Sequence, residues 1–171
     1  MIFKQAKHNN HLYNILLSLS RNIFFYKDIN LQDTYETRIY LMFFHFSILM
    51  IIFKDKGKKF DQKQYDHLFN NIENNLRELG YGDIAVNKKM KDLNKILYDI
   101  LLKIKPNFKE GNIVNFNQLI FIKYFKQLEG RDNLKYREIK SYFSNFYNYC
   151  LKLSLDNILK EVINFKNHGS S

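Results

Sequence analysis

Cations and glycines crowd one short stretch, residues 74–92. Lys88, Lys89 and Lys91 stand where a predicted helix begins, and Arg77 stands near the end of the helix before it. The free amides of a helix N-terminus already favour anions. Lysines placed there, with a forked guanidinium beside them, read as a grip for the carboxylates or phosphates of a partner. Glu78 and Asp83 belong to the same stretch, with Gly80 and Gly82 between them. Charge placement breaks the usual rule twice: Glu78 falls in a last turn and the lysines in a first turn. Each misplacement costs about 0.3–1 kcal/mol when exposed and unpaired. Two accounts stay open. Either the corner binds acidic groups of a partner, or Glu78 pairs with Lys88 or Lys89 and the lysines are scaffolding.

The glycines say how the corner is built. Gly80 sits where the left-handed C′ residue of a helix belongs, so Tyr81 becomes C″ and closes over Leu76 in a Schellman-type cap. Gly82 is a second permissive point, and Asn87 is the expected N-cap of the next helix.

Other chemistry is sparse. Asp33-Thr34-Tyr35-Glu36 reads as a capping-box variant, with Asp33 bonding the N3 amide and Glu36 reaching back. His45 lies among Phe43, Phe44, Phe46 and Leu49. It is either a haem or metal ligand or a buried histidine bonded across the core, and the second is the preferred reading. His8 and His11 are three apart without a third ligand nearby. No metal or cofactor is therefore expected. No P-loop, HExxH helix or GxSxG elbow occurs, and Gly80-x-Gly82 follows a helix rather than a strand, so no dinucleotide site is expected. A non-enzymatic role follows as the expectation. Lys54-Asp55-Lys56-Gly57-Lys58-Lys59 is a basic loop, either a contact for anionic lipid or an ordinary solvated turn, and the second is the preferred reading. Tyr136, Tyr142, Tyr147 and Tyr149, with Lys135, Arg137 and Lys140, could stack on single-stranded nucleic acid, but no RNA-binding signature accompanies them and they read as packing and partner surface.

The elements that carry these groups are helical. Leu12, Ile15, Leu16, Leu19 and Ile23 space a first helix over 11–25. A second begins at Asp33 and contains Ile39–Phe53, apolar all round. Fifteen residues at 1.5 Å each span about 22 Å, short of a hydrocarbon core of about 30 Å. That run therefore reads as a central core helix. Further helices are expected over 61–79, 88–105, 115–128, 134–153 and 154–165, with a break at Pro106 and Gly111 and a loop over 108–114. Gly169-Ser170-Ser171 reads as a frayed tail. With 171 residues, 46% of them hydrophobic, the chain is long enough for a substantial core. The expected fold is all-α: a single-domain bundle of about seven helices around the apolar one, with 115–165 part of the same domain.

Cys150 is the sole cysteine and the first residues lack a signal-peptide core. A cytoplasmic location, with peripheral contact to the inner membrane, is expected. The net charge of +10 points to an anionic partner, or else reflects a composition rich in Lys and Asn.

The run Asn75-Leu76-Arg77-Glu78-Leu79-Gly80-x-Gly82-Asp83, followed by Lys88-Lys89-Met90-Lys91, resembles the signature of the ubiquinol–cytochrome c chaperone family. Asp33-Thr34-Tyr35-Glu36-x-Arg38 and then His45 resemble that family's upstream motif. The likeness covers roughly residues 12–104. Asn87 stands where the family usually has proline, and Asp99-Ile100 where a Gly-Arg pair usually follows an aromatic pair. The resemblance implies an assembly chaperone whose client is cytochrome b or a bc1 assembly intermediate, with or without a second chaperone subunit. A basic RNA- or ribosome-binding module and a peripheral membrane adaptor are the alternatives.

Overall fold

In the computed structural model, residues 11–104, 107–109, 113–130 and 133–167 are described. The elements in order are α1 (His11–Ser20), α2 (Ile23–Lys27), α3 (Tyr35–Asp55), α4 (Gln62–Glu78), α5 (Asp83–Lys103), β1 (Asn107–Lys109), β2 (Ile113–Asn115), α6 (Gln118–Tyr124), α7 (Asn133–Lys152) and α8 (Ile158–Glu161). Short 3₁₀ turns follow α6 and α8. His8, Pro106, Gly111 and Gly169–Ser171 lie outside the described residues.

The all-α expectation holds, and α3 is the axis. Its helix starts at Thr34, whose hydroxyl accepts from the Thr37 amide at 3.2 Å. Every residue from Leu41 to Leu49 is buried, which is what a helix with no polar side requires. α1, α5 and α7 pack around it. The dominant contacts are aromatic: Phe44 stacks on Phe121 with centroids 5.0 Å apart, and Phe43 stacks on Phe69 at 5.9 Å. One apolar cluster runs from Leu12 to Phe165 through these rings.

Several boundaries differ from expectation, each for a local reason. The apolar helix is longer than Ile39–Phe53: it has 21 residues, and by length and composition it could cross a membrane. What distinguishes it is burial, since 67% of its most apolar window is inside the protein. The first helix is split, because Asn22 accepts from the Phe24 amide at 3.1 Å and starts α2 anew. The expected loop over 108–114 contains an antiparallel hairpin, with Phe108 opposite Val114 and Lys109 opposite Ile113. Phe, Ile and Val favour the extended backbone. The last expected helix shrinks to α8 because Ser154–Asn157 forms a turn, its Asn157 amide donating to the Ser154 carbonyl at 3.1 Å. Short polar side chains of this kind compete with helix.

Candidate functional site

α4 ends as its sequence requires. Gly80 has φ +95°, the Tyr81 amide donates to the Leu76 carbonyl at 3.2 Å, and the Gly80 amide donates to the Arg77 carbonyl at 3.0 Å. These two bonds are the Schellman pair. The start of α5 is a correction. The helix begins at Asp83 with Gly82 at the N-cap, and Asn87 lies inside it. Val86 is fully buried, which holds this early turn on the core. Lys88, Lys89 and Lys91 are therefore a turn or more beyond the helix start and do not crowd its free amides. Asp83 occupies the first turn instead, where a negative charge suits the dipole.

Arg77 has a second correction. It does not stand open to a partner's anions: its guanidinium donates to Glu73 at 2.9 Å and to Asp83 across the corner. The Asp83 and Glu73 carboxylates raise its pKa further. Arg77 is thus the clasp between α4 and α5. Glu78 forms no ion pair among the described residues, so the proposed pairing with Lys88 or Lys89 is not found. Lys89 instead lies over the Tyr81 ring, 4.6 Å from its centroid.

The upstream motif folds against this corner. Thr34, not Asp33, caps α3. Asp33 receives a forked pair from Arg38, Nε at 2.7 Å and Nη2 at 2.8 Å, and that hydrogen-bonded guanidinium lowers the Asp33 pKa. Glu36 sits in the first turn of α3. Asn75 donates through Nδ2 to the Tyr13 hydroxyl. Two hollows then flank Tyr35 and Ile39, which line both. One of about 430 Å³ is bounded by Arg21, Arg38, Asn75, Glu78 and Leu79. The other, about 250 Å³, is bounded by Glu36, Leu76, Tyr81 and Lys89. Segments 33–38 and 75–91, far apart in sequence, thus meet in one place.

His45 is not part of that surface. It is fully buried, with Nδ1 2.6 Å from the Leu41 carbonyl and Nε2 2.9 Å from the Tyr142 hydroxyl. Burial pushes its pKa down to about 4, with the Leu41 carbonyl a smaller opposing influence. In the neutral ring, Nδ1–H donates to Leu41 and Nε2 accepts from Tyr142. This is the buried, cross-bonded histidine expected from its apolar neighbours, and neither nitrogen is left for a ligand.

Three of the α7 tyrosines pack as expected and offer no stacking platform for nucleic acid. Tyr142 and Tyr147 are buried to 1% exposure or less and Tyr136 to 9%, so their faces belong to the core.

One feature escaped the sequence reading. Ile84, Lys88, Lys91, Lys95, Tyr98 and Leu102 recur at spacings of three and four along α5, and all are exposed. Ile84 is 88% exposed, Tyr98 56% and Leu102 68%. The stripe was legible in principle, but starting the helix at Lys88 cut off its first member. Asp99, where the family pattern has a different residue, faces elsewhere. It accepts from Lys123 at 2.6 Å and from Tyr124, and pairs with Lys103. Burial acts to raise its pKa, but these donors outweigh it and hold the carboxyl well below its usual range.

No curated protein and no solved structure matches the chain. A model of ubiquinol–cytochrome c chaperones matches residues 27–113, half of the chain, and takes in α3, α4, α5 and both motif segments that meet at the corner. On that match, the chain belongs to the ubiquinol–cytochrome c chaperone family.

Proposed function

We propose that the protein is a non-enzymatic assembly chaperone that binds cytochrome b, or an intermediate containing it, during biogenesis of the bc1 complex. The family match over residues 27–113 carries this reading. The contact surface is the corner with its two hollows, continued along the exposed stripe of α5. Its chemistry fits a partner with both apolar and acidic groups. Ile84, Leu79 and Tyr81 stand exposed, and Lys88, Lys91 and Lys95 have no acidic partner among the described residues. Arg77, Gly80, Gly82 and Asp83 hold the surface in shape. A cytoplasmic location at the inner face of the membrane follows from such a client.

Deletion of the gene should lower assembled bc1 complex while its transcripts persist. Complementation with the Lys88→Glu, Lys91→Glu, Lys95→Glu variant should leave the defect largely uncorrected although the purified variant melts as the wild type does. Normal levels of spectroscopically intact cytochrome b in the deletion strain would refute the function. Full rescue by the variant would remove the α5 stripe from the surface.

A further inference from the structure

A second feature lies at the far end of α5. Between the C-terminal half of α3, the 56–60 loop and the last turns of α5 is a cleft of about 640 Å³, within the range of small-ligand sites. Met50, Ile51, Phe60, Leu97 and Leu101 form its apolar floor, and Lys54, Lys58 and Lys59 stand at its rim. No acidic residue lines it among the described residues. The loop is held in place: Phe60 packs edge-on against Phe46 and Phe53 at 5.1 and 5.0 Å, and the Lys56 ammonium donates to the Leu153 carbonyl at 2.6 Å. Lys58 meets Asp156 only at 3.5 Å, with both side chains exposed. Lys54 and Lys59 have no ion pair among the described residues.

We propose that this cleft takes an acyl chain of an anionic phospholipid, with the headgroup phosphate at Lys54, Lys58 and Lys59. The rim supplies charge of the complementary sign, and the floor supplies apolar surface with no charge to neutralise. An extended peptide fits poorly, because its amides need hydrogen-bond partners and most of the wall is helix, α3 and α5, whose backbone groups are already paired. A helical peptide brings its own hydrogen bonds, so it is tested directly as a competitor. An acyl chain makes no hydrogen-bond demand on the walls. Tyr98 and Leu102, exposed at the mouth, extend the apolar surface toward a bilayer. The proposal stands apart from the client reading, since lipid binding and bc1 assembly are measured separately.

The chain has no tryptophan, so Tyr98→Trp makes a single reporter at the mouth of the cleft. The full chain carrying it is mixed with vesicles of phosphatidylglycerol or phosphatidylcholine, brominated along the acyl chain. Quenching by the anionic vesicles alone is expected. Lys54→Glu, Lys58→Glu, Lys59→Glu should weaken binding by about a hundredfold, at about fivefold per lysine. Ile51→Phe with Leu101→Phe, which narrows the cleft without altering charge, should reduce quenching while sedimentation with anionic vesicles persists. Inorganic phosphate at millimolar concentration should not displace the vesicles. Equal quenching by both lipids would overturn the role of the lysines. Sedimentation without quenching would overturn insertion, leaving a surface attraction only. Displacement by an acidic helical peptide, or no binding at all, would overturn the proposal altogether.

Discussion

Protonation of His45 should be the main way in which mild acid weakens this fold. The neutral ring is bonded at both nitrogens, Nδ1 to Leu41 and Nε2 to Tyr142. A proton on Nε2 converts its acceptor into a second donor facing a hydroxyl, and buries a charge among Phe25, Phe143 and Phe146. The pKa falls from 6.5 to about 4 on folding. The unfolded chain therefore binds the proton first, so the stabilisation is complete above about pH 6.5 and is lost as pH falls toward the folded value. At about 1.4 kcal/mol per pH unit the full loss is about 3 kcal/mol, most of it reached by pH 4.5. The carboxylates Asp33 and Asp99, held below the ordinary aspartate value of 3.8, act under this window. Urea unfolding followed by circular dichroism at pH 7, 5.5 and 4.5 measures the effect. The control is His45→Leu with Tyr142→Phe, which removes both buried polar partners together and so avoids leaving one unsatisfied. Its stability should be flat across the window. An equal loss in the double variant, or none in the wild type, would refute the assignment of acid sensitivity to this ring.

Two further outcomes concern the frame of the site. Gly80→Ala, at φ +95° with nothing within 4 Å of the new methyl group, meets backbone strain alone and should lower stability by about 1–2 kcal/mol; equilibrium unfolding checks it, and an unchanged midpoint would refute the left-handed cap. Asp99→Asn should lower stability by about 1 kcal/mol at pH 7, because it weakens the link from α5 to α6 through Lys123. The Asp99 pKa is depressed in the folded state, so that difference should persist down to about pH 4 and shrink below it, as paired unfolding curves would show.

What could be read from the sequence was local. The Schellman cap rests on Leu76, Arg77, Gly80 and Tyr81, all within one turn, and such a motif is complete in its own residues. The burial of α3 was legible because no face of it is polar. The start of α5 was not, since Asn87 is the stronger capping residue by type while Gly82 offers no side chain. The deciding force was Val86 entering the core, a tertiary effect. His45 was legible as a buried, bonded histidine, yet its partner Tyr142 lies 97 residues away. The packing of the α7 tyrosines was legible in kind, but which ring meets His45 was not. Asp33 and Glu36 matched a capping pattern, but Thr34 reached the amide first and freed Asp33 for Arg38.

Whether a net charge of +10 is function or composition turns on where the acids go. Asp33, Glu73, Asp83 and Asp99 are each taken up by intramolecular pairs with Arg38, Arg77, Lys103 and Lys123. Those pairs lock the ends of α3, α4 and α5, so the acids that position the framework are already matched within the protein. Composition alone would scatter the remaining lysines. Instead Lys88, Lys91 and Lys95 follow one row of α5, bracketed by Ile84 at one end and by Tyr98 and Leu102 at the other. That row is about 27 Å long from Ile84 to Leu102, and its last two members line the cleft rimmed by Lys54, Lys58 and Lys59. A cationic segment therefore lies between apolar ends of one continuous track. Under the proposed function, such a track matches a client that carries both apolar and acidic groups.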